Sequence, residues 1–423
     1  MFKYNHVQVI FNRTKVVPKF LNKNADIFFN NGTFLENNFV TNIVKSSHDT
    51  FFEATKFPIV LGQYLCLIPL SQKKPQWFSF QILISLAMIC CQTLMAILSL
   101  LWLNRSGISI FKSGGVLFFG GAAIMMLLMI RLSFMWSKLL KKWTEIEYHF
   151  GYQKNLKRVF AIISSLIIVF STVLLNLVEH LSNLLFGLLT TYQNSRKILK
   201  IYSAKMFPQV FEVVPYTVWR AVPILYINFV STLTYSFGDQ LIIMISLALG
   251  NYFHLFNKEI FSIKGKVLSE FEWKILRLKY TKLCELTSVV DDCLCHLLCL
   301  TFLIHLYIIC VELHQGIQYT SDENDQMHAI LSFIVSVLRA CALCYTTIRI
   351  YEQSKNVLDI LHSIELFLQQ VIQNDTVLTG SHLFSMKRSF LLTIGGTIIS
   401  YEILLLQMKD FSNSEILEMK IKT

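Results

Sequence analysis

Long apolar stretches alternate with short polar segments along most of this 423-residue chain. Seven of the stretches are close to the roughly 20 residues that an α-helix needs to cross a bilayer core of about 30 Å. The pattern predicts an all-α membrane protein with seven transmembrane helices. The predicted spans are Phe78 to Leu103, Gly114 to Trp136, Val159 to Val178, Ala221 to Leu249, Cys293 to Val311, His328 to Ile348 and Phe390 to Met408.

The segment before the first span, Phe51 to Leu70, is apolar but is interrupted by charged residues and a proline. It predicts an interfacial or re-entrant helix that precedes the first span. We expect three regions: a polar cytosolic N-terminal arm (1–48), a seven-helix membrane domain (49–410) and an extracellular C-terminal tail (411–423). Basic helical linkers are predicted from Lys138 to Arg158, from Asn251 to Asp292 and from Arg349 to Ser389.

The distribution of basic residues predicts the orientation. The segment from Lys138 to Arg158 holds six Lys and Arg, whereas the segment from Gln315 to Gln326 holds three acidic residues and no basic one. Because Lys and Arg accumulate on the cytosolic side, we expect a cytosolic amino end and an extracellular carboxyl end. Asn104, in an Asn-Arg-Ser sequon of the first outer loop, is then a glycosylation candidate. The basic loop from Arg196 to Lys205 does not follow the rule.

Composition narrows the class of protein. Hydrophobic residues make up 54% of the chain and charged residues 15%, against roughly 25% charged in a soluble domain. The net charge of +11 comes from Lys and Arg scattered between apolar runs, so we expect no nucleic-acid partner. Cys293 and Cys295 point about 200° apart on a helix and cannot share a metal ion. No motif for an enzyme, a metal or a cofactor is predicted.

Four charged residues lie within predicted spans: Arg131, Asp239, Arg339 and Glu402. Charges in lipid are costly and usually face the protein interior or a water-filled cavity. Asp239 is expected either to bind a ligand or to pair with Arg131 or Arg339. For Glu402, attraction of cations in a pore and a structural bond to a neighbouring helix are equally open.

The closing stretch Gly396-Thr397-Ile398-Ile399-Ser400-Tyr401-Glu402-Ile403-Leu404-Leu405-Leu406-Gln407-Met408 resembles the C-terminal signature of insect gustatory receptors, Thr-Tyr, five apolar residues and Gln-Phe. Ser400 replaces the family Thr, and Met408 replaces the Phe. Glu402 directly after the tyrosine resembles the sugar-receptor branch. Further similarity to that branch lies in Asp49 to Pro69, Phe237 to Asn257, Lys282 to Leu286 and Leu306 to Cys310.

The resemblance implies a sugar-gated, non-selective cation channel in the plasma membrane of chemosensory neurons. It implies a homotetramer, or a heteromer with related receptors, that passes monovalent and divalent cations. Seventh helices would surround the pore, with Tyr401, Leu404, Gln407 and Met408 at the pore and gate. A polar residue that merely ends the helix is the other interpretation of Gln407.

A sugar offers many hydroxyls and little charge, so its pocket needs polar partners and aromatic faces. We expect these groups on the outer halves of the helices. The candidates are Glu179, His180, Trp219, Tyr226, Tyr235, Asp239, His305, Tyr307 and Glu312.

Two other classes compete with the channel. A secondary sugar transporter would take up sugar without a ligand-evoked current, and many transporters carry a duplicated half that this sequence does not show. A G-protein-coupled receptor needs an extracellular amino end, which the predicted orientation opposes.

Overall fold

Long helices account for most of the structure. The computed structural model describes residues 50–65, 67, 80–107, 110–150, 162, 200, 203–204, 207–263, 266, 268–318, 323–356, 369, 371–374 and 376–421, all within the unit Asp49–Thr423. In chain order the elements are α1 (Phe51–Tyr64), α2 (Phe80–Ser106), α3 (Ile110–Phe150), α4 (Pro208–Phe211), α5 (Val218–Ser262), α6 (Glu270–Gln318), α7 (Glu323–Lys355), β1 (Thr379–Gly380), β2 (Phe384–Ser385) and α8 (Arg388–Ile421).

Five of the described helices are long and apolar enough to cross a membrane: Phe80–Ser106, Ser113–Phe150, Val218–Ser262, Glu270–Leu313 and Phe333–Lys355. They overlap the first, second, fourth, fifth and sixth predicted spans, and α8 covers the seventh. The third predicted span, Val159 to Val178, lies outside the described residues. The count of seven spans and the orientation of the termini therefore stay predictions.

Three helices are much longer than a bilayer is thick. α3, α5 and α6 have 41, 45 and 49 residues, which at 1.5 Å per residue is about 60 to 75 Å. We call the end where they continue past the span, around Lys138, Ser262 and Glu270, the extended end, and the end at Ser106 the short end. The segment from Asn251 to Asp292 is not a single linker, because α5 ends at Ser262 and α6 begins at Glu270.

The extensions have a core of their own. Trp143, Tyr252, Phe256 and Tyr280 are all at most 1% exposed, and their rings meet in edge-on and tilted contacts. On the surface Lys279 pairs with both oxygens of Glu259, at 2.7 and 2.8 Å. An aromatic interior under a charged surface is the arrangement of a water-facing bundle, so these turns lie beyond the lipid.

α1 packs against the extended half of the bundle. Its 14 residues are too few to span a bilayer. The Thr50 hydroxyl caps its first turn by accepting from the Glu53 N–H at 3.1 Å, and the Phe51 ring stacks on Trp143 at 3.9 Å. At the other end Gly62 lies so close to Phe237 that a Cβ there would meet its ring at 2.6 Å. α1 therefore contacts both α3 and α5.

A short β-hairpin joins the start of α8 to α6. Thr379 pairs with Ser385 across its two strands, and the turn places Ser381 and His382 at φ 49° and 58°. Asp291 of α6 accepts from the Thr379 N–H at 2.6 Å and from the Thr379 hydroxyl. The Ser381 N–H donates to the Cys295 carbonyl at 2.8 Å. These bonds hold the hairpin on α6.

Candidate functional site

A buried ion cluster lies where α5, α6 and α7 meet. One oxygen of Asp239 accepts from His305 Nε2 at 3.1 Å. The other accepts from Arg339 Nε at 3.0 Å and from Arg339 Nη2 at 2.6 Å. Asp239 is 3% exposed and His305 is 6% exposed. The carboxylate therefore has both a charge partner and a neutral or cationic donor, which is what a buried charge requires.

The cluster contains two residues that were predicted to bind a ligand, and it also contains one of the predicted ion pairs between Asp239 and an arginine. Sequence reasoning named both Asp239 and His305, and the structure brings them into contact. Of the two arginines considered as partners, Arg339 pairs with Asp239, whereas Arg131 contacts His296 at 2.9 Å. The geometry is that of an ion pair linking three helices, and a ligand at this point would have to compete with those bonds.

Two other candidates, Tyr235 and Tyr307, make polar contacts with protein groups. The Tyr235 hydroxyl is buried and donates to the Phe118 carbonyl of α3 at 2.5 Å. The Tyr307 hydroxyl lies 3.2 Å from that of Ser113. Glu312 is half-buried, two turns beyond His305 along α6. Tyr307 and Glu312 thus lie on the short-end side of the ion cluster, where the sugar pocket was predicted.

Two of the aromatic candidates on α5, Trp219 and Tyr226, lie far from the ion cluster. Trp219 is 89% exposed and Tyr226 is 53% exposed. They precede Asp239 by 20 and 13 residues, which is about 30 and 20 Å along a helix. Glu179 and His180 lie outside the described residues. Asn104 is exposed in the last turn of α2, as a glycosylation acceptor must be.

α8 carries an exposed polar stripe. Leu404 and Gln407 are exposed, and three hydroxyl residues continue their face toward the start of the helix at alternating spacings of four and three. The stripe consists of Thr393, Thr397, Ser400, Leu404 and Gln407. Such spacing keeps residues on one helix face. The side chain of Met408 lies outside the described part of the chain.

The flank of α8 next to this stripe, and the side opposite to it at Glu402, contact the rest of the protein. Phe390 and Ile394 pack against the main core, and Glu402 is 7% exposed. Neither Glu402 oxygen has a hydrogen-bond partner among the described residues. Tyr401 is half-buried between the two sides. Glu402 therefore does not share the face of Leu404 and Gln407.

An aromatic cluster links α6 to the first turn of α8. Phe384 of the hairpin stacks on Phe390 of α8 at 4.3 Å, with the rings 10° from parallel. Phe302 of α6 meets both rings edge-on, at 5.8 and 5.5 Å. Phe302 lies one turn from His305. One helix thus contacts both the ion cluster and the start of α8.

Sequence reasoning missed two of these features. The hydroxyl stripe has a signal, the four-and-three spacing of Thr393, Thr397 and Ser400 ahead of Leu404. The hairpin has no comparable signal, because two-residue strands are too short for an alternating pattern. In the described part of the chain, no group of three or more His, Cys, Asp or Glu is placed to hold a metal ion.

The sequence of this chain is similar to those of known receptors. The family model described as "Trehalose receptor" matches residues 36–416. The Drosophila melanogaster "Gustatory receptor for sugar taste 64a" is 25% identical over 394 residues, covering 85% of each chain. The "Gustatory receptor 5a for trehalose" of the same fly is 22% identical over 386 residues, covering 86% of each chain.

Solved structures share the fold. The insect olfactory receptor OR5 from Machilis hrabei superimposes with a TM-score of 0.58 at 14% identity, covering 85% of this chain and all of that one. The structure of the same receptor in complex with eugenol superimposes with a TM-score of 0.55. The relatives are receptors and not enzymes, and the candidate spans make this a multi-pass membrane protein. With the family model matching nearly the whole chain, the protein belongs to the trehalose receptor family of insect gustatory receptors.

Proposed function

We propose that this protein is a sugar-gated, non-selective cation channel that acts as a sweet-taste receptor in the plasma membrane of chemosensory neurons. The observation that carries the channel is the stripe of α8, which presents hydroxyls, Leu404 and Gln407 on a face that is exposed in the described part of the chain. A polar stripe on a membrane helix is suited to a water-filled pore. The names of the relatives support sugar as the ligand.

The channel is proposed as a homotetramer or a heteromer with related receptors, built from seven-span subunits with a cytosolic amino end. The α8 helices of all subunits together surround the pore. The Leu404 side chains form an apolar ring, which lies between a ring of Ser400 hydroxyls and a ring of Gln407 amides. Apolar rings gate by dewetting, and polar rings let hydrated cations pass. Met408 extends the narrow region, and Tyr401 supports it from the flank.

Sugar binds on the short-end side of the ion cluster. Tyr307 and Glu312 of α6 supply hydroxyl partners there, with the Asp239–His305 pair below them. Trp219 and Tyr226, with Glu179 and His180, form the rim and entrance of the same pocket in this proposal. A sugar that binds the open state more tightly shifts α6, and the contact of Phe302 with Phe390 carries the shift to α8.

The test is electrical. The full chain is expressed alone, and then with a related receptor, in cells that lack taste receptors, and current is recorded during perfusion of trehalose and a panel of other mono- and disaccharides. We expect a cation current that rises with sugar concentration. Saturable uptake of labelled sugar with no current would identify a transporter, and a current abolished by blocking G-protein signalling would identify the other receptor class.

A further inference from the structure

An exposed basic group lies where α3 and α6 meet. Arg131 and His296 are both exposed, and Arg131 Nη1 lies 2.9 Å from His296 Nδ1. Lys138, two turns further along α3, is exposed on the same face. This group is separate from the Asp239 cluster, whose arginine is Arg339.

Arg131 has no acidic partner in the described part of the chain. Other cations at the extended end do have one, since Lys142, Lys279 and Lys282 each pair with a glutamate. Asp292, one turn before His296 on α6, is exposed and forms no ion pair with Arg131 among the described contacts. A guanidinium is permanently charged, so at a lipid-facing surface it needs an anion from outside the protein.

The depth of the group matches phospholipid headgroups. Arg131 lies 17 residues after Gly114, where the predicted span begins. That is about 25 Å of helix, a few Å short of the far side of a hydrocarbon core of about 30 Å. A long guanidinium side chain reaches from there to the headgroup boundary, and Lys138, two turns further on, lies past that boundary. Trp136 between them is buried and does not share their face.

The hydrogen bonds determine which groups face outward. A guanidinium can only donate, so His296 Nδ1 accepts from Arg131. The Cys295 thiol, 3.0 Å from the same nitrogen, is also placed to donate to it. The ring proton then lies on Nε2, and the exposed edge of the imidazole presents an N–H. Arg131, His296 and Lys138 thus offer donors only: this N–H, the remaining guanidinium N–H groups and the ammonium. The acceptor on the same face of α6 is the exposed Asp292, which forms no ion pair with Arg131 among the described contacts.

We propose that Arg131, His296 and Lys138 bind the phosphate of an anionic membrane phospholipid at the extended end. Arginine forms paired hydrogen bonds with phosphate oxygens, and basic pockets between membrane helices suit anionic headgroups. The acyl chains would lie along the apolar surface of α3, where Leu127 and Ile124 are about half exposed. The proposal does not depend on the sugar response.

The test uses purified full-length protein and native mass spectrometry with phosphatidic acid and phosphatidylcholine at equal concentration. We expect wild-type protein to bind phosphatidic acid at least tenfold more tightly than phosphatidylcholine. R131Q should lose most of that preference, H296F and K138Q should each lose part, and R131K should keep more of it than R131Q. K141Q is the matched control, because Lys141 is an exposed lysine of α3 outside the group.

Each other outcome contradicts the site. Equal losses in R131Q and K141Q would show a general attraction to basic charge. Equal binding of glycerol phosphate, which lacks acyl chains, would show a soluble anion as the ligand in place of a lipid. An unchanged preference in R131Q would remove Arg131 from the site. Thermal unfolding of each variant in phosphatidylcholine alone verifies that the fold is intact before lipids are compared.

Discussion

Asp239 connects three helices through one carboxylate, so its removal has a cost beyond the bonds it makes. An isolated Arg339 would stay within the bundle without its partner, and breaking one side of a buried ion pair typically destabilises a protein by about 3–5 kcal/mol. We expect D239N to lower the thermal unfolding temperature in detergent markedly. The measurement is fluorescence-detected gel filtration after heating.

The exposed Asp292 of α6 provides the control for Asp239. D292N removes the same charge from the same bundle, and surface changes of this kind usually alter stability by about 0.5 kcal/mol or less. In the double variant D239N/R339Q the uncompensated arginine is gone, so part of the lost stability should return. A D239N protein that melts like the wild type would contradict the energetic role of the cluster.

Glu147 makes the docking of α1 dependent on pH. It lies in the extension of α3, beyond the span, and accepts from the Phe51 N–H at 2.6 Å. Burial raises the pKa of Glu147 from 4.5 to about 7, against the effect of that hydrogen bond. Because the raised pKa favours the protonated form in the docked state, docking is strongest at low pH and weakens as pH rises through about 7.

We expect hydrogen exchange at the first amides of α1 to accelerate as pH rises from about 4.5 to about 7 and to level off above that, after correction for intrinsic exchange. The change in docking free energy is on the order of 1 kcal/mol per pH unit. E147Q cannot ionise and should flatten the profile. E145Q should leave it unchanged, because Glu145 pairs with Lys282 and has a lowered pKa. Acceleration of equal size in E147Q would assign the pH dependence to another group.

Which side chains contact one another was the part of the structure that was hardest to predict from the sequence. From the sequence, Asp239 was expected either to bind a ligand or to pair with Arg131 or Arg339, and the partner stayed open because hydropathy contains no information on which helices touch. The exposure of Trp219 and the inward bond of Tyr235 depend on helix rotation in the same way. Glu402 was left open between pore and helix contact, and its burial places it on the protein-facing side.

At the scale of elements, α6 is the helix that contacts both the ion cluster and α8. If Phe302 transmits the shift, F302A should reduce the maximal sugar-evoked current several-fold and leave sugar binding to purified protein nearly unchanged. L303A is the matched control, because Leu303 is the next residue and is 58% exposed. Loss of binding together with current in F302A would place the residue in pocket structure and not in coupling.

Truncating a buried phenylalanine costs about 3–5 kcal/mol, so a second variant is needed for the same contact. F390L keeps an apolar side chain at the start of α8 but loses the stacked ring on Phe384. We expect it to fold, to reach the surface in normal amounts and to show the same reduced maximal current. Surface labelling separates reduced assembly from reduced gating.

Elements were predicted well where the apolar pattern is long. α2 runs from Phe80 to Ser106 against a predicted Phe78 to Leu103. The extensions of α3 and α6 were predicted as helical linkers because charges interrupt the apolar run there; the helix is observed, and in each case it is continuous with the spanning helix. The hairpin was missed, since its turn depends on Ser381 and His382 at positive φ, residues that do not mark such a turn as glycine would.

At the scale of the whole molecule, the stripe of α8 is exposed in the described part of a single subunit. If its stripe lines a pore, cysteines introduced at Thr397 and Ser400 should react with a charged, water-soluble thiol reagent and block the current, faster when sugar is present. I394C is the control, because Ile394 packs against the core. The wild-type chain sets the background, since it carries exposed cysteines at 90 and 341.

Equal reaction rates for the T397C and I394C variants would contradict the assignment of the pore face.

The sequence pattern of one chain does not show how copies of that chain pack together, because those contacts lie between molecules. What the sequence does contain is a helix with hydroxyl and amide side chains along one face, of which the Thr393 and Thr397 hydroxyls donate to backbone carbonyls one turn earlier. The resemblance to insect gustatory receptors is what predicts that this helix lines a pore.

The ion cluster also has a consequence for biogenesis. Its members are separated by 66 and 100 residues, so they leave the ribosome at different times. Asp239 enters the membrane with α5 while Arg339 is still untranslated, so until α7 is inserted its carboxylate has no arginine partner and only His305 of α6 can donate to it. A chain stopped before α7 therefore keeps an intramembrane carboxylate without its guanidinium, which is a costly arrangement in lipid.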